Sequence, residues 1–277
     1  MQWILQQFED TEKLAHVLDR QGVSYSWHRV VPFVGDLDPE PVIVDPGRTV
    51  LFGSYTLWRY AARAGLWPGV FRIAPFVRET PWQPFMLNGP DALFLTLRDV
   101  PRDLPRADRD WFVRPVADSK ESPGQVRHRD AILALANQVL ALDPADIPRG
   151  SLRHDTELML TPPARILQEW RVWVVDGAVR SFSLYKQGSR VVYRPEIDDD
   201  AASFAADLVR RNPGYGRAYV LDICRTEAGL RLLETNCINA AGFYAADLGP
   251  VVSAIEQMQD TGLDTGQNTG QNTGQGA

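Results

Sequence analysis

The stretch AYVLDICRTEAGLRLLETN, residues 218–236, decides how this chain is interpreted. Valine, isoleucine, leucine and tyrosine dominate both ends, and the break between them, RTEAG at 225–229, is polar and ends in glycine. This pattern predicts two strands joined by a tight turn. If the hairpin is symmetric about Ala228, Asp222 lies directly opposite Glu234 on one face. Because strand side chains alternate, Asn236 points to the same side as Glu234.

These three side chains form a plausible cation site. Two carboxylates in a cross-strand pair lie roughly 5 Å apart and repel one another unless a cation sits between them. Hard divalent metals prefer the oxygen ligands that two carboxylates and an amide supply. The alternative is an exposed hairpin whose two acids are merely solvated, and the spacing alone favours neither interpretation.

The composition limits the classes of protein to consider. The chain has 277 residues, 44% of them hydrophobic, which is enough for one large core or two small domains. A net charge of -6 argues against general nucleic-acid binding. Two cysteines make no disulfide framework and suit a reducing compartment. Neither a signal peptide nor an apolar run of the ~20 residues that span a bilayer is present, so we expect a cytoplasmic protein without membrane contacts.

The remaining sequence predicts a mixed α and β protein. Asp176-Gly177 between two β-rich runs is a strong hairpin signal. The polar, proline-bearing run PRDLPRADRD at 101–110 suggests a domain boundary. The tail TGLDTGQNTGQNTGQGA at 261–277 has too few apolar residues to fold, which predicts disorder. Helical spacing of apolar residues is found at 9–21, 128–142, 197–211 and 249–260.

Three basic side chains lie in or next to strands of the second half: Arg114, Lys120 and Arg171. Each one alone is better explained by a salt bridge to a nearby acid. Together they suggest a site for a polyanion such as nucleotide phosphates. Glu169 and Arg171 share one face of their strand, and Lys186 joins them if the hairpin has no bulge. The alternate residues of this strand are apolar and predict core.

These motifs, taken in order, resemble a known superfamily. A strand with Arg-Pro at 114–115 is followed by a loop lysine, by Glu-Trp-Arg at 169–171, by Asp222 and by Glu-x-Asn at 234–236. This order resembles the ATP-grasp superfamily, and within it the small clade named for two arginines and a lysine. The runs TVLFGSYTLWRYAARAGLWPGVF at 49–71 and AGFY at 241–244 are also similar to that clade. The resemblance covers most of residues 41–258.

The resemblance implies an α+β fold in which two α+β subdomains clasp ATP, preceded by a small α/β domain. The implied division is an N-terminal domain at 1–105, the ATP-grasp domain at 106–260 and the tail at 261–277. One departure concerns the loop after the first strand of the grasp domain. Larger members have a long, glycine-rich loop there, which is reduced here to ADSKESPGQ at 117–125.

The resemblance also implies a role for each matching position. Magnesium ligands would be Asp222, Glu234 and Asn236, with Glu234 bridging two ions. Cofactor contacts are implied for the remaining positions: Arg114 and Lys120 for the ATP phosphates, Glu169 for the ribose, Arg171 for the transferring phosphate, and Ile166 and Leu167 for the adenine.

The implied activity is ATP-dependent ligation of a carboxylate to an amine through an acyl phosphate, with magnesium. The enzyme would be a carbon–nitrogen ligase whose substrates are small molecules or peptides, and Arg171, with Lys186 or Arg190, would neutralise the transferred phosphoryl group. A phosphotransferase on the same fold, a catalytically silent nucleotide-binding adaptor and a structural protein are the alternatives. The sequence specifies neither the substrates nor the oligomeric state.

Overall fold

The computed structural model describes residues 1–31, 34–89, 91–117, 123–148 and 150–259. These residues form two compact units. The first unit contains residues 1–71 and the described residues from Leu248 onwards, and the second contains residues 72–247. No helix among the described residues combines the length and the apolar character that crossing a membrane requires.

The helices of the described residues are α1 (Glu9–Gln21), α2 (Leu57–Arg63), α3 (Val100–Asp103), α4 (Arg129–Leu140), α5 (Asp199–Arg211) and α6 (Gly249–Glu256). The strands are β1 (Gln2–Gln6), β2 (Tyr25–Val30), β3 (Leu37–Asp38), β4 (Thr49–Phe52), β5 (Pro68–Gly69), β6 (Leu93–Thr96), β7 (Asp110–Pro115), β8 (Gln125–His128), β9 (Glu157–Thr161), β10 (Ile166–Val175), β11 (Ala178–Gln187), β12 (Arg190–Arg194), β13 (Ala218–Thr226) and β14 (Gly229–Asn236).

The first unit is built on a five-stranded sheet in the order β3-β2-β1-β4-β5. Strand β1 is parallel to both β2 and β4, and helix α1 connects β1 to β2. The helix ends as its sequence predicts, because Gly22 adopts the left-handed conformation, with φ 67°, that L-residues avoid. The buried centre of β1, Trp3-Ile4-Leu5, explains why this strand lies in the middle of the sheet.

The second unit contains two sheets. One has four strands in the order β6-β9-β7-β8, and the other has five strands in the order β12-β11-β10-β13-β14. Residues Trp170, Val172 and Val174 of β10 lie in the hydrophobic core with Leu208 of α5, as the alternation of the strand predicts. The opposite face of β10 therefore carries Glu169, Arg171 and Trp173.

The compact units do not divide the chain at the proline-bearing run. The chain passes from the first unit to the second between Phe71 and Arg72. Residues 72–105 belong to the second unit, in which β6 pairs with β9 along four residues. The predicted boundary at 105 thus falls between β6 and β7 of the same sheet.

Candidate nucleotide and metal site

The β13–β14 hairpin brings the two predicted carboxylates together. A two-residue turn, Glu227-Ala228, closes the hairpin, and a bulge at Leu233 then shifts the register by one residue. As a result Asp222 pairs with Glu234. The predicted pairing of Asp222 with Glu234 is confirmed. The turn is centred between Glu227 and Ala228 and not on Ala228, and the extra residue of the bulge restores the pairing.

Asn236 joins the two carboxylates on the same face. Its Nδ2 atom donates one hydrogen bond to Asp222 Oδ2 and another to Glu234 Oε1, each at 3.1 Å. Asp222 is fully buried, whereas Glu234 is partly exposed. Two carboxylates that meet at one amide group supply the oxygen-rich donor set that a hard divalent cation prefers, so the residues present fit a magnesium ion.

Each carboxylate has its own arginine. Arg171 lies opposite Asp222 across β10 and β13, and its Nε and Nη2 atoms donate to Asp222 Oδ1 at 2.9 Å and Oδ2 at 2.7 Å. Burial raises the pKa of Asp222 to about 6, and the Arg171 guanidinium opposes that rise. Arg171 also donates from Nη1 to the Gly242 carbonyl at 3.3 Å. The site face is the face of the five-stranded sheet that carries Asp222, Glu234 and Asn236. Arg171 is fixed on this face by a carboxylate and by the loop after β14.

The second arginine comes from the other sheet of the same unit. Arg114 of β7 donates from Nη1 to Glu234 Oε2 at 2.8 Å, and its guanidinium carbon lies 5.6 Å from the centre of the Phe76 ring. The sequence left two explanations open for Arg114 and Arg171, a salt bridge or a polyanion site. Both residues form salt bridges, and their partners are the carboxylates predicted to bind metal.

Glu169 is a third carboxylate on this face, and it is buried. Lys186 Nζ lies 2.8 Å from Glu169 Oε1, and the Tyr185 hydroxyl donates to Glu169 Oε2 at 2.6 Å. The sequence predicts that Lys186 joins this face if the hairpin has no bulge, and the contact is present although the hairpin is bulged. The β10–β11 hairpin has two bulges, at Arg180 and Tyr185, and two one-residue shifts return Lys186 to the predicted face.

Three tyrosines that the sequence did not predict complete the site face. The rings of Tyr185 and Tyr244 stack with centres 5.0 Å apart, and those of Tyr244 and Tyr193 stack at 5.1 Å. The guanidinium carbon of Arg171 lies 4.8 Å from the centre of the Tyr244 ring. Burial, Asp222 and Glu169 raise the pKa of Tyr185, so its hydroxyl remains a donor.

No simple sequence signal would have found these rings. In a regular hairpin Tyr185 would point to the core face, and only the bulge turns it towards Glu169. Tyr244 lies in the AGFY run at 241–244 and has a positive φ of 50°, a conformation that alternation does not predict.

Three further predicted residues lie on β10 and β12. Ile166 and Leu167 are half-buried at the start of β10. Arg190 is exposed on β12, next to Val191, which pairs with Lys186, so strand alternation directs Arg190 away from the site face. Lys120 lies outside the described residues.

Comparisons with known proteins identify the family of this chain. Residues 77–255, more than half of the chain, match the model of an ATP-grasp domain family, the third family of the clade named for two arginines and a lysine. No curated protein matches the chain.

Solved structures share the fold at low sequence identity. A RimK domain ATP-grasp protein from Sphaerobacter thermophilus superposes with a TM-score of 0.60 at 12% identity, covering 92% of this chain and 97% of the other. The D-cycloserine synthetase DcsG gives 0.55 at 14% identity, with the same shares covered. The D-alanine–D-alanine ligase from Bacillus anthracis gives 0.54 at 11% identity, covering 91% of both chains. With its α+β architecture, its site on the five-stranded sheet and the match over 77–255, the chain belongs to the ATP-grasp domains, in family 3 of the two-arginine, one-lysine clade.

Proposed function

We propose that this protein is a magnesium-dependent ATP-grasp ligase that joins a carboxylate to an amine through an acyl phosphate. The observation that carries the proposal is the meeting of Asp222 and Glu234 at the amide of Asn236. The solvated-hairpin alternative does not account for a fully buried Asp222. A buried acid needs a partner, which Arg171 supplies here. The meeting of a second carboxylate and an amide at the same point is the feature that supports a divalent cation.

The metal would be held by Asp222, Glu234 and Asn236, and when bound it would stabilise the negative charge that develops on the transferring phosphoryl group. The chain prepares these ligands in advance. Arg171 fixes the orientation of the Asp222 carboxylate through two hydrogen bonds, and Arg114 does the same for Glu234 through one.

The nucleotide would lie along the same face. Arg114 is suited to a phosphate oxygen because its guanidinium already faces an anion, and Lys120 follows Arg114 by six residues in the sequence. Glu169, held by Lys186 and Tyr185, would accept hydrogen bonds from the ribose. Ile166 and Leu167, half-buried at the start of β10, would contact the adenine.

The reaction would proceed in two steps. A carboxylate oxygen of the substrate attacks the γ-phosphorus of ATP, and the bond to the ADP oxygen breaks. The amine then attacks the acyl carbon, and phosphate and a proton leave as the amide forms. Arg171 and Lys186 lie on the site face, where they would neutralise the transferred group, whereas Arg190 points away. Positioning and charge neutralisation are sufficient for phosphoryl transfer, so no covalent enzyme intermediate is required.

The test is calorimetric titration of ATP with and without magnesium. We expect magnesium-dependent binding to the wild type and its loss in Glu234→Gln. Glu227→Gln is the matched control, because Glu227 lies in the turn of the same hairpin and forms only an exposed pair with Arg165. Binding that is absent in both conditions, or unchanged in Glu234→Gln, would refute the assignment.

Product analysis then separates the ligase from its alternatives. A ligase releases ADP and free phosphate together with an amide. A stable phosphorylated product would identify a phosphotransferase, and magnesium-dependent ATP binding without turnover would identify an adaptor.

A further inference from the structure

The site face of the five-stranded sheet extends beyond Glu169 to the edge strand β12. Val191 pairs with Lys186, whose ammonium contacts Glu169, so Val191 lies on the site face. Its neighbour Val192 packs against the core on the other side. Tyr193 is again on the site face, as its stacking on Tyr244 shows.

The apolar part of this face is continuous with its charged part. The tyrosine stack runs from Tyr185, which donates to Glu169, through Tyr244 to Tyr193. The middle ring of the stack is the one that lies 4.8 Å from the Arg171 guanidinium carbon. A molecule whose anionic group reaches Arg171 therefore has aromatic surface beside it.

The outer end of this surface is exposed in a way that is unusual for an edge strand. Val191 is 66% exposed and Tyr193 is 57% exposed. Edge strands commonly carry charged residues on their open faces, because apolar ones promote association. Here the two positions of β12 that face the site, Val191 and Tyr193, are apolar, which indicates a surface that a ligand covers.

We propose that Val191 and Tyr193 form a subsite for an apolar side chain of the carboxylate substrate. The substrate would be an amino acid or peptide whose activated carboxylate has an apolar, preferentially aromatic, side chain next to it. The inference rests on the proposed ligase function and deepens it. An aromatic side chain would add a fourth layer to the stack at Tyr193, while the carboxylate lies towards Arg171.

The test uses hydroxylamine in place of the unidentified amine. A substrate carboxylate takes the γ-phosphoryl group of ATP, hydroxylamine nitrogen attacks the acyl carbon, and phosphate and a proton leave as the hydroxamate forms. The carboxylates are phenylalanine, leucine, alanine and aspartate, each free and N-acetylated. We expect hydroxamate and ADP to form at least tenfold faster, as kcat/KM, with phenylalanine or leucine than with alanine or aspartate.

Variants connect this preference to the two residues. Tyr193→Ser and Val191→Ser should lower kcat/KM about tenfold for the apolar acids and little for alanine. Tyr193→Phe should keep the preference, because the ring and not the hydroxyl makes the stack. Val44→Ser is the control, since Val44 is 83% exposed in the first unit.

Three outcomes would overturn the subsite: aspartate as the best substrate, an equal effect of Tyr193→Ser on all acids, or no hydroxamate from any acid. Hydroxamate formed from any acid shows that the ligase function holds even when the preference or the variants refute the subsite. Complete absence of hydroxamate, with magnesium-dependent ATP binding intact by calorimetry, refutes the ligase function together with the subsite.

Discussion

Arg171 holds Asp222 through two hydrogen bonds, at 2.9 and 2.7 Å, in a pair that is buried on both sides. The pair lies at the centre of the site face, between Glu234 on one neighbouring strand and the tyrosine stack on the other. A guanidinium is therefore the cation that neutralises Asp222 in the protein without ligands. Removal of either member leaves a buried charge without its partner, which is more unfavourable than loss of both.

Replacement of Arg171 by methionine should destabilise the protein strongly. We expect Arg171→Met to lower the free energy of unfolding in urea by about 3–5 kcal/mol, because the Asp222 carboxylate loses its counter-charge. The double variant Arg171→Met with Asp222→Leu should recover most of that loss. A control, Arg165→Met, breaks an exposed pair with Glu227 and should change stability by about 0–1 kcal/mol. A single variant as stable as the wild type would contradict the role of the pair.

The same variant should gain a response to divalent cations. In the wild type Arg171 occupies both oxygens of Asp222, so magnesium or manganese alone should raise the melting temperature little. In Arg171→Met the unpaired carboxylate is available together with Glu234 and Asn236, and cation binding to the folded state should stabilise it. Differential scanning fluorimetry with each metal and no nucleotide measures both cases. Equal shifts in wild type and variant would show that Arg171 does not compete with the cation.

How far the sequence predicts this site depends on the range of each interaction. The faces of Asp222, Glu234 and Asn236 follow from the two-residue period of a strand, and the structure brings them together. The contact of Arg114 with Glu234 joins residues 120 apart on different sheets, and no local pattern encodes it. The motif order identified the family, but it did not specify which acid each arginine meets.

Local irregularities of the strands account for most of the other site contacts that the sequence does not predict. The bulges at Arg180, Tyr185 and Leu233 add single residues that strict alternation does not show, and they decide which side chains share a face. The boundary predicted at 105 shows a separate limit of composition as a signal. Polar and proline-rich runs indicate a loop, yet a loop between β6 and β7 of one sheet has the same composition as a linker.

Replacement of Arg114 should weaken binding of the nucleotide phosphates and leave binding of the nucleoside unchanged. Arg114→Gln removes a guanidinium that is mostly buried and already faces an anion, so we expect ATP affinity to fall about tenfold or more. Adenosine affinity should not change. Calorimetry with ATP, ADP, AMP and adenosine gives the series, and Arg165→Gln is the matched control at an exposed pair. A uniform loss across the four ligands would indicate a structural role for Arg114 and no phosphate contact.

Glu169 should distinguish nucleotides by their ribose hydroxyls. Its carboxylate is held by Lys186 and Tyr185, so it is fixed in position to accept hydrogen bonds from a ribose. Hydrogen bonds to a charged group contribute about 1.5–3 kcal/mol. Glu169→Gln should therefore lower the affinity for ATP about tenfold to a hundredfold. The variant should bind 2′,3′-dideoxy-ATP nearly as the wild type does, because that ligand has no hydroxyl to lose. Glu227→Gln, which changes an exposed acid in the turn of the β13–β14 hairpin, serves as the control. If Glu169→Gln weakened both nucleotides equally, Glu169 would act on the fold or the phosphates, and the ribose assignment would be wrong.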